Sequence, residues 1–162
     1  MVPVVQQSPL PSRHAIRSLL SDLTGRDVDL KDSEPVPAKS TNVVAVYVTD
    51  RLAVSAVAVL NLEGAARLGA ALGMLPRAAV EDAIKDRELP EHMRDCCYEV
   101  LNVMASVFNV GEVPHVRLYE MYGPGGGLPP DIAALAAMAG SRMDVTLSIS
   151  GFGLAGLSIV IR

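Results

Sequence analysis

Two stretches, Asn42 to Val48 (NVVAVYV) and Leu52 to Leu60 (LAVSAVAVL), are apolar at nearly every position. A strand with one wet face alternates apolar and polar residues; a run that is apolar in both phases must be covered on both faces. The richness in Val favours strand over helix, and Thr49-Asp50-Arg51 between the runs predicts a tight turn. The chain must therefore bury an antiparallel hairpin in the middle of a sheet. A second apolar pair, Met143 to Ser150 and Leu154 to Ile161, meets around Gly151 and Gly153 and predicts another hairpin.

The segments around these hairpins have helical spacing. Ser12 is placed to cap a helix to about Leu23, with Ile16, Leu19, Leu20 and Leu23 on one face and Gly25 as the stop. Asp27 to Leu30 predicts a short extended piece within a polar connector. Glu63 to Leu72 predicts an amphipathic helix, and Arg77 to Arg87 another, started by Pro76. Val116 to Tyr122 (VRLYEMY) alternates as a strand does. GPGGGLPP at 123–130 predicts a flexible loop, and Asp131 a cap for a short helix to Ala139. The expected fold is a single α+β domain of 162 residues, with an antiparallel-rich sheet of about six strands packed against helices. Residues 1–11 predict a flexible, proline-bearing lead-in.

The segment from Glu91 to Asn109 (EHMRDCCYEVLNVMASVFN) is the most unusual of the helices. Pro90 opens it and Asn109 with Gly111 closes it. Glu91, Asp95, Glu99, Asn102 and Ser106 recur at three- and four-residue steps, which puts them on one line along a helix face. The positions between are apolar, so the rod is packed on most sides and the polar line must meet water, a buried polar partner or another protein. A plain solvated face satisfies the pattern. The chemistry of one pair satisfies it differently. Glu99 is an anionic acceptor, and Asn102 offers both donors and an acceptor, so together they can grip one water or one partner group. Without a metal or nucleophile nearby, Glu99 alone hydrolyses nothing readily; the electrophile would have to come with a partner.

Other chemistries fit poorly. The net charge of −4 and the absence of a Lys/Arg cluster argue against a nucleic-acid binder. Cys96 and Cys97 are adjacent, so a disulfide between them is disfavoured; with only His92 nearby they read as reduced packing residues of a cytoplasmic protein. No signal peptide is visible. The uncharged run Val145 to Ile161 has the Ser, Gly and alternation of strands, so no membrane span is expected. His14, His92 and His115 lack metal spacing, and no Ser lies in a GxSxG context. Residues 151–156 (GFGLAG) match GxGxxG as a string, but a strand follows where a phosphate-binding turn needs a helix, so a hairpin turn is expected.

The sequence Asp95-x-x-x-Glu99-x-x-Asn102 resembles the Asp/Ser-xxx-Glu-xx-Asn signature of the CheC/CheX/FliY chemotaxis phosphatases, and the element order is similar to CheX. The resemblance covers most of the chain and includes a proline some way downstream, matched by Pro124. One copy of the signature is present, as in CheX. The resemblance implies a phosphatase acting on a phosphorylated CheY-like response regulator. Asn102 would orient the attacking water, and Glu99 would engage the regulator's active-site lysine. Asp95 and Pro124 would accompany the motif without a catalytic step. The chain would need no cofactor or metal of its own, because Mg would be supplied by the partner. A homodimer is also implied. The alternative within the same fold is a non-catalytic binding module for a signalling or flagellar-switch partner.

Overall fold

The computed structural model describes residues 7–162. Residues 1–6 of the expected lead-in lie outside the described residues. In the remainder of it Ser8 and Pro11 are buried, and the Ser8 hydroxyl lies 2.7 Å from that of Ser55.

Helix α1 (Arg13–Thr24) starts where the Ser12 side chain accepts from the Ala15 amide and stops at Gly25, whose φ of 67° is the left-handed turn glycine allows. Strands β1 (Val28–Asp32), β2 (Val43–Thr49) and β3 (Val54–Leu60) follow, then α2 (Leu62–Gly73), α3 (Arg77–Asp86) and α4 (Glu91–Met104). A 3-10 turn (Ala105–Phe108) continues α4, and β4 (Val116–Tyr122), α5 (Pro130–Ala136), β5 (Arg142–Ile149) and β6 (Gly153–Ile161) complete the domain. The strands form one antiparallel sheet in the order β1-β5-β6-β3-β2-β4. The two apolar hairpins are thus joined through β3 and β6 at the centre, and β1 and β4 are the edges.

Both faces of the central strands β2 and β3 are covered, as the unbroken apolar runs require. Val43, Ala45 and Tyr47 of β2 and Ala56, Ala58 and Leu60 of β3 point into the larger core with α1, α2 and α4. Their neighbours Val44, Val46, Val48, Val57 and Val59 point the other way, onto α5 and Val36. The second face also carries a polar cluster. Arg142 holds Asp144 through two 2.8 Å bonds, Ser158 donates to Asp144 at 2.6 Å, and the Val36 amide donates to Ser158. This ties the connector after β1 across the sheet.

Three local expectations need correcting. Helix α2 is not amphipathic. It is buried around most of its circumference, because α4 packs on one side and Ala66 and Ala70 accept α3 on another. At Gly69 a Cβ would come within 2.6 Å of the Met93 carbonyl, so the backbones of α2 and α4 meet there directly. Helix α5 is capped by Pro129 rather than Asp131, which lies in its first turn, and it ends at Ala136. Pro90 is the residue before α4, not its first residue.

Candidate functional site

Helix α4 lies with Met93, Cys97, Val100, Leu101 and Met104 in the core and Glu91, Asp95, Glu99 and Asn102 in solvent. Ser106, in the 3-10 turn, is exposed as well. Sequence spacing and exposure agree: the polar residues form one accessible line on the outer surface. Among the described residues neither the Glu99 carboxylate nor the Asn102 amide has a hydrogen-bond partner, and the ion pairs, Arg13–Asp32 and Arg142–Asp144, leave Glu91, Asp95 and Glu99 without a cation. Both groups are free to bind something from outside.

The framework beneath them is fixed. Tyr47 of β2 is buried, and its hydroxyl donates to the Leu101 carbonyl at 2.7 Å. The reason is local. At the junction of α4 with the 3-10 turn the Ala105 amide bonds to the Asn102 carbonyl instead of that of Leu101, and the tyrosine takes the acceptor released. Burial pushes the Tyr47 hydroxyl far above its ordinary range, so it stays a donor. Its ring packs on Phe108 at 4.8 Å between centroids. Asn109 then joins the helix end to β4, donating to the Ala105 and Val116 carbonyls and accepting from the Val116 amide. Asn102 therefore projects from the last α-helical turn, whose depth and rotation are set from β2 and β4.

The flanks of the line are also defined. Arg94 donates to the Gly123 carbonyl and ties the glycine-rich loop to the start of α4, while the Gly125 amide bonds to Ser40. The link falls on the residue before Pro124 and not on Pro124 itself. On the opposite flank Cys96 Sγ is 4.0 Å from His92 Nε2. Burial is the main cause that raises both thiols above the usual range, Cys97 to about 12, so both are held as protonated thiols. Among the described residues no three His, Cys, Asp or Glu side chains converge as a metal site. The GFGLAG segment spans the end of the β5–β6 turn and the start of β6, with Arg26 lying over the Phe152 ring. Among the described residues no helix is long and apolar enough to cross a membrane.

Tyr47 and Asn109 were not recognisable as site residues from sequence. Tyr47 lies among the valines of a core strand, and only its partner 54 positions away gives the hydroxyl its purpose. Asn109 reads as a helix breaker; its side-chain bonds depend on where β4 lies.

No protein-family model matches the sequence, and no curated protein matches it. Solved structures do match its fold. FliY from Thermotoga maritima superposes with a TM-score of 0.55 at 15% identity, over 90% of this chain and 81% of that one. The chain has the FliY/CheX fold. The FliM middle domain in the FliM–SpeE complex from H. pylori gives 0.56 at 12% identity, over 91% and 80% of the two chains. The chemotaxis protein CheX from Vibrio vulnificus gives 0.51 at 13% identity, over 92% and 95%. The resemblance read from the Asp95–Glu99–Asn102 spacing and the element order thus holds at the level of the FliY/CheX fold.

Proposed function

We propose that the chain is a phosphatase for the aspartyl phosphate of a CheY-like response regulator, with Asn102 and Glu99 as its working residues. The observation that carries this reading is that these two side chains stand exposed and unpartnered on one line of α4, in a protein of the FliY/CheX fold. Among the described residues no metal-holding cluster forms, and such a site suits a reaction in which the partner brings the electrophile and its own Mg.

The chemistry asked of the chain is positioning. The Asn102 side-chain carbonyl oxygen accepts a hydrogen bond from one water and holds its lone pair towards phosphorus. The bond between phosphorus and the aspartate oxygen breaks as the bond from the water oxygen forms. The regulator's carboxylate leaves, and the water's protons go to the released phosphate and solvent. Glu99 pairs with the regulator's lysine and fixes the approach. Such transfers depend chiefly on alignment and charge, so losing the aligning group costs about a hundredfold. Asn102→Ala is therefore expected to lower the maximal rate of phosphate release by about a hundredfold, and Glu99→Ala to act mainly on KM. Unchanged decay of the phosphorylated regulator with wild type would end the proposal.

A second reading has its own support. The FliM middle domain has the same fold and is found in a complex with SpeE. A non-catalytic module would bind its partner with Asn102→Ala as well as with wild type, and without turnover. The homodimer and the cytoplasmic location remain part of this proposal, to be tested by the mass in solution and by fractionation.

A further inference from the structure

One exposed apolar side chain, Tyr98, stands on a shoulder of the polar line of α4, and another, Met74, follows the glycine that packs against the opposite shoulder. Tyr98 is 41% exposed, whereas Met93, Val100, Leu101 and Met104 of the same helix are buried. It lies three residues after Asp95 and four before Asn102, on one shoulder of the line. Met74 is 89% exposed and follows the end of α2. Gly73 before it is packed against Cys96 and His92, so that a Cβ there would lie 2.9 Å from Cys96 Sγ and 3.5 Å from His92 Nε2. Those two residues form the other shoulder. The backbone presents Met74 at a cost: it adopts φ 52°, the left-handed position that glycine usually takes at a helix end, while Gly73 sits one residue too early to relieve it.

The arrangement is an acidic and amide centre with Tyr98 on one flank and the exposed Met74 at the end of the helix packed on the other. Aromatic and methionine side chains are enriched where protein surfaces meet, and exposed tyrosines are frequent anchors of binding energy. A second copy of this chain is a poor occupant. A two-fold contact through this face would set the carboxylates of Glu91, Asp95 and Glu99 of one copy against those of the other, and among the described residues none of them is in an ion pair. The occupant must instead bring positive charge to the centre and apolar surface to both sides. Resting on the reading above, we infer that Tyr98 and Met74 are the affinity- and specificity-determining residues of the surface that docks the regulator's receiver domain. Their role is separate from that of Asn102: they hold the receiver in place and take no part in alignment of the water.

The test measures binding and turnover side by side, with CheY-like receiver domains from the same genome phosphorylated by acetyl phosphate. The expected result is that Tyr98→Ala raises Kd and KM about tenfold or more, with a far smaller change in kcat. Met74→Ala gives a smaller rise of the same kind, and Tyr98→Phe retains most of the affinity. Met138→Ala, a change at another exposed apolar side chain beyond α5, leaves both constants alone. Circular dichroism and melting curves check that each variant folds. Tyr98→Ala with Kd within twofold of wild type, or with its loss confined to kcat, overturns the inference, as does a wild type that binds no receiver. A wild type that binds without releasing phosphate, and loses binding in Tyr98→Ala, ends the phosphatase reading while the docking surface stands.

Discussion

Two polar side chains, Tyr47 in the core and the partly buried Asp144, carry more of this molecule than their number suggests. Tyr47 holds the Leu101 carbonyl beside Asn102, and removing its hydroxyl leaves that acceptor buried and unpaired. Tyr47→Phe is expected to cost about 1–3 kcal/mol, read as a shift in the urea midpoint. Asp144 is held below the usual carboxylate range chiefly by its bond to Arg142, with Ser158 adding in the same direction and burial opposing. A carboxyl depressed on folding contributes stability that is whole above its unfolded pKa, near 3.8, and that is lost as pH falls through the lower folded value. Asp144→Asn should therefore lower the melting temperature at pH 7 and lose less of it than wild type on acidification below about pH 4. A constant gap between the two melting curves from pH 7 to pH 2 would contradict this assignment.

At the scale of elements, the sequence was most legible where packing leaves no choice. The valine runs of β2 and β3 could only be central strands, and the three- and four-residue steps from Glu91 to Asn102 placed the polar line on one exposed face. Legibility failed where small residues made the pattern ambiguous. Helix α2 is rich in Ala and Gly, which suit solvent or core alike, so its periodicity suggested an amphipathic helix while tertiary contacts made it a buried one. Asp131 has a good capping side chain, but Pro129 and Pro130 already fix the start of α5 upstream of it. The α2–α4 contact yields its own expectation. Gly69→Ala forces the helices apart at the Met93 carbonyl and should destabilise the fold by about 1–3 kcal/mol, measured by chemical denaturation.

At the scale of the whole molecule, the sheet serves as the rigid body from which one helix presents its outer line. Hairpins joined through β3 and β6 form the centre, α1, α2 and α4 cover one face, and α5 with the Val36 segment covers the other. Chain order alone did not give that sheet order, because β1 and β4 become edges only through long-range pairing with β5 and β2. The candidate site was legible for a different reason: its residues lie on a single element, so spacing was enough to gather them. The supports from Tyr47, Asn109 and Arg94 come from or reach to other elements and needed the fold. The central claim is that Asn102, presented on this scaffold, aligns a water on a partner's phosphoaspartate. Its most direct test is the rate of inorganic phosphate release from a phosphorylated CheY-like receiver with wild type and with Asn102→Ala. Wild type is expected to accelerate release, and the variant to lose about a hundredfold of that rate with receiver binding retained. Equal rates for the two proteins, or no acceleration by wild type, would contradict it.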